Sequence, residues 1–369
     1  MSPYAHITGW GMAVPERILT NNEIAQMVNT NDEWIVSMTG IHERRIANKD
    51  ETTASLATAA ALKALQVANL SPSSVDLIIV STSTPEYIFP ATACIVQDSI
   101  GATHAGAFDL MAACSGFIFA LNIAAQSVRN GATRNVLVVG AETLSHLINW
   151  QDRSTCILFG DGAGAFVVQA SDDPGGILSG VIRSDGSGGD LLSVPAGGSA
   201  NPTSFDTIRE GLHYIRMNGR EVFRFATRVM SQATQEAVGK ANLTMDDIKL
   251  VIPHQANLRI IEAAARSLDI PMERCFVNLD RYGNTSTASI PIATVEAYQK
   301  GLISPGDHIV FVGFGAGLTW GSAVVEWSGP LPGIRKVRPY SYRWYARIRS
   351  FLLRLLRKID AWMWSRQNH

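Results

Sequence analysis

Cysteine is scarce in this chain, and its placement argues against two kinds of protein. The four cysteines, Cys94, Cys114, Cys156 and Cys275, lie far apart, and no pair has the CxxC or related spacing of a zinc site. They do not form a disulfide framework either, since such frameworks are dense in short secreted chains. We therefore expect free thiols, a reducing compartment and no bound metal.

Long apolar runs and a secretory leader are also missing. No stretch reaches the ~18 uninterrupted apolar residues that a membrane-spanning helix needs. The amino-terminal sequence MSPYAHITGW has neither the charged start nor the apolar core of a signal peptide. These absences predict a cytoplasmic protein.

Net charge is almost absent, yet the charges are unevenly distributed. The chain has 31 basic and 32 acidic residues, and residues 335–369 contain ten of the basic residues but only one acid, Asp360. An acidic body therefore precedes a basic tail.

What the chain does contain is an alternation of strand-like and helical segments. Its 369 residues, 46% hydrophobic, suffice for about two domains. The segments of the first half are VDLIIVSTS (75–83), AFDLMAA (107–113), the helical FIFALNIAAQSVRNG (117–131) and NVLVVGAE (135–142). This order predicts a mostly parallel sheet with helices on its faces.

The second half repeats the first. Its segments are IKLVIPH (248–254), CFVNLDRYGN (275–284), the helix TASIPIATVEAYQKG (287–301) and DHIVFVGFGAG (307–317). A shift of 170 residues places Cys114 on Asn284 and Gly131 on Gly301, and glycine-rich segments close both halves (159–170 and 314–327). We therefore predict two related halves, 1–173 and 174–330, and a tail, 331–369. Chance likeness between any two α/β halves is the alternative.

Cys114 is the candidate nucleophile. It follows an apolar strand within a turn of small residues, AACSG (112–116), and precedes a helix. Backbone N–H groups at a helix amino terminus favour the thiolate, which is the attacking species, by roughly 0.3–1 kcal/mol. A cysteine among alanines is otherwise a small core residue, and we keep that interpretation for the other three cysteines.

His254 and Asn284 complete the candidate site. His254 ends the strand KLVIP and opens a helical pattern, so it lies at the carboxyl end of a strand, where open α/β sheets bind ligands. Asn284 lies in the loop RYGNTSTAS, at the repeat position of Cys114. Each alone has an ordinary structural explanation, but three such residues at strand–turn–helix junctions favour one site.

These residue types are suited to acyl transfer. A thiolate can carry an acyl group, while His and Asn N–H groups can stabilise a second thioester carbonyl as it gains negative charge. If that thioester is β-carboxylated, its enolate forms with loss of CO2, and no metal or redox cofactor is needed. The Gly315-Ala316-Gly317 turn offers backbone N–H groups to the acyl oxyanion.

An ordered set of motifs spans about residues 4–327. They are TNDEWIVSMTGIHERR (30–45), AACSGF (112–117), DRSTCILFGDGAG (152–164), MNGREVF (217–223), PHQANLRII (253–261), YGNTSTASIP (282–291) and FGAGLTWGSA (314–323). In these motifs the chain resembles the 3-oxoacyl-[acyl-carrier-protein] synthase III family of the thiolase superfamily. The resemblance implies a five-layered αβαβα homodimer that starts bacterial type II fatty acid synthesis. Acyl-CoA and malonyl-acyl carrier protein would give 3-oxoacyl-acyl carrier protein, CoA and CO2, with the CoA thioester as substrate and no cofactor.

The resemblance also implies roles for individual residues. Cys114 would be acylated, and His254 and Asn284 would support malonyl decarboxylation. Trp34 and Arg153 match residues that sandwich the CoA adenine. Residues matched to the CoA and pantetheine tunnel are Thr30, Gly219, Phe223, Ala256 and Asn257. Three further matches are Phe314 beside the nucleophile, Arg259 for docking the acidic carrier protein, and Phe89 in the segment expected to shape the acyl pocket.

Two positions depart from the family pattern. Met38 stands where an arginine that contacts CoA is expected, and His42 replaces another frequent arginine. The loss of a guanidinium removes a phosphate contact. A carrier-protein thioester therefore stays open as the acyl donor.

The tail has no counterpart in the family. Within residues 343–364, apolar side chains recur every three or four positions and Arg or Lys side chains take the opposing face, which predicts an amphipathic helix. It suits peripheral contact with an anionic membrane at its inner face. Packing on the body or on a dimer mate explains the pattern equally well. The charges can also attract the acidic carrier protein; the sequence has no recognised nucleic-acid module, and no nucleic-acid partner is expected.

Two other functions stay open beside the condensing enzyme. One is a related thiolase-fold acyltransferase or condensing enzyme of secondary or lipid metabolism with another donor or acceptor, suggested by Met38 and the tail. The other is a non-catalytic, membrane-associated scaffold, which would have no need for all three site residues.

Overall fold

A computed structural model describes residues 3–330 and 337–367 of the chain. The strands are β1 Tyr4–Ala13, β2 Ile18–Thr20, β3 Glu43–Arg45, β4 Leu77–Ser81, β5 Gly106–Leu110, β6 Asn135–Glu142, β7 Gly162–Ser171, β8 Gly176–Ser184, β9 Leu192–Ser193, β10 Arg216–Met217, β11 Leu250–Pro253, β12 His308–Gly315 and β13 Thr319–Glu326. The helices are α1 Asn21–Ala25, α2 Asp32–Thr39, α3 Thr53–Val67, α4 Thr92–Ile100, α5 Gly116–Arg129, α6 Arg153–Cys156, α7 Phe205–Arg209, α8 Gly219–Lys240, α9 Leu258–Ser267, α10 Leu279–Tyr282, α11 Ser289–Gln299 and α12 Pro339–Gln367.

Two β-sheets form the frame of the body. The first has the order β1-β7-β6-β4-β5 and the second the order β11-β12-β13-β8. Helix α5 contacts strands of both sheets, and α11 packs beside it against β1, β7 and β11, so these two helices form a central layer. Helices α3 and α4 cover the outer face of the first sheet, and α8 with α9 covers the second. The predicted five-layered αβαβα architecture is confirmed.

The internal repeat extends to the turns. Ala113 has a φ of 46° and Gly283, 170 positions later, a φ of 63°, so each residue before a candidate site residue has a left-handed backbone. Strand β4 pairs in parallel with β6, as β11 does with β12. In both halves the buried helix that follows this turn has a glycine of positive φ two residues after its last residue, Gly131 after α5 and Gly301 after α11. Two copies of one βα unit therefore face each other across the central helices.

One predicted strand is mostly absent. Within residues 275–284 only the two ends pair, on either side of α10: Asn284 forms a parallel bridge with Phe159, and Cys275 forms one with Val251 of β11. This bridge occupies the position that β5 takes in the first sheet. Asn278, Asp280 and Gly283 favour turns over extended backbone, which explains the shortened edge.

Aromatic side chains fill the space between the sheets. Phe166 of β7 contacts Phe117 of α5 at a ring-centroid distance of 5.0 Å and Phe311 of β12 at 5.8 Å, and all three side chains are fully buried. These contacts join both sheets and the central layer into one core. Burial of each ring stabilises the folded state by about 2 kcal/mol, judged from the apolar area removed from water.

The ends of the elements can be compared with the predicted divisions of the chain. Strand β7 ends at Ser171 and β8 begins at Gly176, on either side of the predicted boundary at residues 173 and 174; the division into three parts itself stays a prediction. The predicted helix at residues 343–364 lies within α12, whose first turns pack on α4. No helix in the described parts of the chain is long and apolar enough to cross a membrane.

Candidate active site

Cys114 lies at a sharp turn between β5 and α5. Its neighbours are small because the turn is crowded: a Cβ on Gly116 would lie 2.1 Å from the Ser81 hydroxyl oxygen, and a Cβ on Gly315 would lie 2.7 Å from the Cys114 nitrogen. The Gly315-Ala316-Gly317 turn therefore lies directly against the candidate nucleophile. Of the cysteines interpreted as core residues, Cys156 and Cys275 are buried, whereas Cys94 is exposed on α4, which corrects that interpretation.

The protonation of Cys114 differs from the expectation. Burial raises the pKa of the thiol to about 12, and a hydrogen bond with Ser286 only partly opposes this effect. Removal from water therefore outweighs the stabilisation expected from the helix terminus. The resting side chain is a thiol, so its reaction requires a proton acceptor nearby.

His254 follows β11 and is held in one orientation. Its backbone N–H donates to the Val312 carbonyl at 2.8 Å, and its Nδ1 lies 2.7 Å from the Ser289 hydroxyl. That hydroxyl accepts the Gln255 backbone N–H at 3.3 Å, so its own hydrogen can be donated to Nδ1. This arrangement favours the tautomer with the proton on Nε2.

The other ring nitrogen of His254 is available for a ligand. Nε2 is buried and has no hydrogen-bond partner among the described residues. Burial lowers the pKa of His254 to about 3, so the imidazole is neutral near pH 7. A neutral ring with Nε2–H is a hydrogen-bond donor and not a permanent charge.

Asn284 is fixed by the opposite half of the chain. Its backbone N–H donates to the Leu158 carbonyl at 2.8 Å, and its carbonyl accepts the Gly160 N–H at 3.0 Å. Its side-chain Oδ1 accepts the Ser286 N–H at 2.8 Å. The Nδ2 group is therefore left to donate to a ligand.

One cavity of about 660 Å³ contains all three residues in its lining. It also contains seven of the residues matched through the resemblance: Trp34, Gly219, Phe223, Ala256, Asn257, Arg259 and Phe314. Phe314 packs against His254 with ring centroids 5.5 Å apart. The cavity thus brings a thiol and two N–H donors together within a largely apolar lining, in which unscreened donors act strongly on developing charge.

The rim of the cavity is aromatic and basic. The Arg153 guanidinium lies 4.6 Å from the centre of the Trp34 ring, just outside the lining, and Thr30 also lies outside it. Met38 and Arg259 do line the cavity, and the Arg259 guanidinium lies 3.9 Å from the Met38 sulfur.

Arginines on neighbouring elements offset the missing guanidinium at Met38. Arg220 and Arg224, at the start of α8, line the cavity beside Arg259. His42 is exposed and lies outside the lining. The rim can therefore offer several guanidinium groups to phosphates although positions 38 and 42 carry none.

Phe89 is not part of this cavity. It is 84% exposed on the loop between β4 and α4, beside exposed Tyr87 and Ile88. It therefore does not shape a pocket within its own chain, and the expectation that its segment shapes the acyl pocket stays a prediction.

Two functional candidates were not found by sequence reasoning. Ser289 orients His254, and Glu142 lies behind Cys114 as a buried acid at the end of β6. The Ser286 hydroxyl donates to Glu142 Oε1 at 3.1 Å, and the Thr84 hydroxyl donates to Oε2 at 2.6 Å. Burial raises the pKa of Glu142 to about 7, although these bonds oppose the shift. An acid that ends the apolar strand NVLVVGAE was the available sequence signal.

The described residues offer no alternative metal-centred site. Within residues 3–330 and 337–367, no group of three or more His, Cys, Asp or Glu side chains is arranged to hold a metal ion. The αβαβα fold with Cys, His and Asn around one cavity defines a thiolase-fold acyltransferase of the condensing type.

Comparisons with known proteins specify the class further. Family models described as 3-oxoacyl-[acyl-carrier-protein] synthase III and its C-terminal part match residues 108–186 and 238–327. A beta-ketoacyl-[acyl-carrier-protein] synthase III of Roseiflexus sp. (strain RS-1) is 54% identical over 328 residues, which cover 89% of this chain and all of the relative. One from Caldanaerobacter subterraneus subsp. tengcongensis is 55% identical over 324 residues, or 88% of this chain and 98% of the relative.

The crystal structure of 3-oxoacyl-[acyl-carrier-protein] synthase III from Aquifex aeolicus VF5 superposes with a TM-score of 0.82. It is 48% identical, and the match covers 88% of this chain and all of the other. The chain belongs to the 3-oxoacyl-[acyl-carrier-protein] synthase III family.

Proposed function

We propose that this chain condenses an acyl-CoA with malonyl-acyl carrier protein to give 3-oxoacyl-acyl carrier protein, CoA and CO2, the initiating step of type II fatty acid synthesis. The observation that carries the proposal is the meeting of Cys114, His254 and Asn284 in one cavity of a chain of this family. The named relatives are synthases of this kind, and the side chains supply the groups that such a reaction needs.

The first half-reaction acylates Cys114. The thiol proton passes to the Ser286 oxygen while the Ser286 hydroxyl proton passes to Glu142, to whose Oε1 that hydroxyl donates at 3.1 Å. The thiolate attacks the acyl-CoA carbonyl, the new C–S bond forms, and the bond to CoA breaks. The CoA thiolate leaves and takes a proton from solvent.

The second half-reaction uses the two N–H donors. The malonyl thioester carbonyl accepts from His254 Nε2 and Asn284 Nδ2, and the charge that develops on its oxygen is stabilised there as CO2 leaves. The resulting carbanion attacks the acyl-cysteine carbonyl, the C–C bond forms, and the Cys114 thiolate is released. That thiolate takes back the proton held on Glu142, and the cycle closes.

The chemistry assigns no task to a metal or a redox cofactor. The electrons of the broken C–C bond pass into the enolate, whose oxygen the two donors stabilise, so no external oxidant or reductant takes part. CoA enters as part of the substrate.

The rim is suited to a CoA thioester. Trp34 and Arg153, which contact each other at 4.6 Å in this structure, are proposed to separate and hold the adenine between them. Thr30, Gly219, Phe223, Ala256 and Asn257 are proposed to line the path of the pantetheine arm. Arg220, and Arg224 although it pairs with Glu221 at 3.0 Å, are proposed to contact the phosphates in place of the arginine that is missing at position 38. Arg259, 5.6 Å above the Phe223 ring, is proposed to dock the acidic carrier protein at the same mouth.

A homodimer is proposed from the free edge of the first sheet. Strand β5 pairs with β4 on one side only within the described residues, and exposed Phe108, Met111 and Phe89 lie on or near this edge. An edge strand with apolar neighbours is a typical surface for pairing with a second copy. If Phe89 shapes an acyl pocket, it does so across this interface, in the second copy.

We place the enzyme in the cytoplasm, where its proposed CoA and carrier-protein substrates are used. No specific observation favours either alternative function. Arginines at the rim can contact phosphates although position 38 is Met, so another acyl donor is not required. A non-catalytic scaffold would not need hydrogen-bond donors oriented around a thiol. Peripheral attachment through residues 343–364 is compatible with catalysis and is argued below.

The test separates the two half-reactions. The full chain, incubated with acetyl-CoA, should gain one acetyl group on Cys114 by intact-mass spectrometry, and added malonyl-acyl carrier protein should then release CO2. Cys114→Ala should lose both signals. Transfer from acetyl-acyl carrier protein but not from acetyl-CoA would support the alternative donor, and no adduct from any thioester would reject the proposal.

A further inference from the structure

Helix α12 is the most basic part of this chain. Residues 335–369 have ten Arg or Lys and one acid, so the remaining 334 residues have 21 basic and 31 acidic residues. Seven of these ten basic residues lie on α12, which follows residue 327, where the match to the family models ends.

The helix docks on the body through a narrow stripe of small residues. Ala346 and Ser350, one turn apart, are buried, and the Ala346 Cβ lies 3.3 Å from where a Cβ on Gly101 would stand. The Ser350 hydroxyl donates to Asp98 of α4, and the Arg354 guanidinium lies 3.9 Å from the same carboxylate. These contacts hold the first half of α12 in a fixed orientation on α4.

The apolar face of α12 is turned away from this stripe. At about 100° per residue, Trp344, Phe351 and Leu355 lie together, on a different side of the helix from Ala346 and Ser350. Phe351 is 66% exposed and Trp344 61%, values that a core-facing side chain would not show. Other exposed apolar residues on or beside this face include Ile348, Leu352, Leu356, Ile359 and Trp362.

Basic side chains border the apolar face. Arg347 and Lys358 lie along one border and Arg349 along the other, and all three are exposed. An apolar face with a basic border complements a surface that is itself apolar inside and anionic outside. The headgroup region of an anionic bilayer has this composition.

The position of α12 argues against two other binding partners for its exposed face, the acyl carrier protein and the tail of a second copy of the chain. Gly101 lies in the loop that enters the amino end of β5, whereas Cys114 follows its carboxyl end, about 17 Å further along a five-residue strand. A carrier protein docked on α12 would therefore be far from the cavity that its thioester must enter. Pairing of two tails across a two-fold axis would bring like charges together.

We propose that the body presents α12 to an anionic lipid surface, with the Trp344–Phe351–Leu355 face in the acyl boundary and Arg347, Arg349 and Lys358 at the headgroups. The docked stripe orders the helix before binding, which reduces the entropy cost of association. The enzyme would then be peripheral, held at the surface where fatty acyl products are used by membrane-lipid synthesis.

The test compares vesicles of phosphatidylcholine with vesicles that also contain phosphatidylglycerol, in co-sedimentation of the full chain. We expect partitioning onto the anionic vesicles to be at least roughly tenfold stronger and to weaken as salt is added. Phe351→Gln with Leu355→Gln should abolish it. Changing Arg347, Arg349 and Lys358 to Gln should lower it by at least roughly tenfold.

A matched control removes the same charge elsewhere. Changing exposed Lys49, Arg134 and Arg209 to Gln should leave binding within about twofold, because these residues lie on the body. Acylation of Cys114 should be unchanged in every variant, so a failure here is distinct from a failure of the proposed function.

Three results would overturn the proposal. They are equal binding to both kinds of vesicle, equal loss in the tail and control variants, and a change of oligomeric state in the Phe351/Leu355 variant without vesicles. The last would assign the face to a second copy of the chain.

Discussion

Glu142 connects through Ser286 to the sulfur that must lose its proton. Burial raises the pKa of Glu142 to about 7, so the carboxyl group is protonated below that pH and cannot accept the Cys114 proton. In a Cys94→Ser background, which removes the exposed thiol, we expect the rate of Cys114 alkylation by iodoacetamide to rise through an inflection near pH 7.

Glu142→Gln should remove this inflection and leave slow alkylation that rises only towards the pKa of the thiol itself. The rates are measured by intact mass between about pH 5 and 9. Thermal unfolding of the variant controls for its fold. An unchanged inflection in Glu142→Gln would exclude Glu142 as the acceptor.

Asn284 can be tested separately from the nucleophile. Asn284→Asp keeps the size of the side chain and replaces the Nδ2 donor with an acceptor, so it should slow malonyl decarboxylation by roughly 10²–10³-fold while Cys114 acylation changes little. Release of CO2 from malonyl-acyl carrier protein measures the first rate and intact mass the second. A loss of both in equal measure would mean that Asn284 also serves acylation.

At the scale of elements, Glu296 of α11 ties α10 and the Asn284 loop to the central layer. Its carboxylate accepts from Arg281 at 2.7 Å, Tyr282 at 2.8 Å and Asn278 at 2.9 Å. Glu296→Ala leaves these groups without their acceptor and should lower the free energy of unfolding by about 3 kcal/mol in chemical denaturation. Glu236→Ala, which breaks an exposed pair with Arg183, should cost about 1 kcal/mol or less.

The contribution of Glu296 to the stability of the fold should decrease as the pH falls. Burial would raise the pKa of Glu296, but the hydrogen bonds from Arg281, Asn278 and Tyr282 outweigh burial and hold it below the ordinary value of 4.5. A depressed folded-state pKa stabilises the fold above the unfolded-state pKa and loses that contribution as pH falls. The stability difference between the native chain and Glu296→Ala should therefore shrink below pH 4.5; a constant difference would contradict the ionised network.

At the scale of the whole molecule, the free edge at β5 predicts the oligomeric state. Met111 is 72% exposed just beyond this strand, so Met111→Lys places a charge in the proposed dimer interface. We expect the native chain to sediment as a dimer and Met111→Lys to shift towards monomer in analytical ultracentrifugation. Leu302→Lys, an exposed apolar position beyond α11, should stay dimeric. A monomeric native chain would remove the interface.

Three features can be predicted from the amino-acid sequence alone: the order of most strands and helices, the repeat that relates Cys114 to Asn284, and the amphipathic helix in the tail. These features are local: β-branched runs, helical periodicity and small residues at turns are visible in short windows. Even there, a turn-rich segment at 275–284 was mistaken for a strand, because its apolar start resembles one.

The protonation states in the site and the side of α12 that faces solvent depend on the tertiary structure. Burial sets the pKa values of Cys114 and Glu142, and burial depends on what distant segments cover. The partner of Nδ1 in His254 comes from α11, and the clamp on Asn284 comes from the first half of the chain. Contacts between distant segments also explain why Phe89 lies outside the cavity and why the apolar face of α12 points outward. Both depend on which surfaces meet after folding.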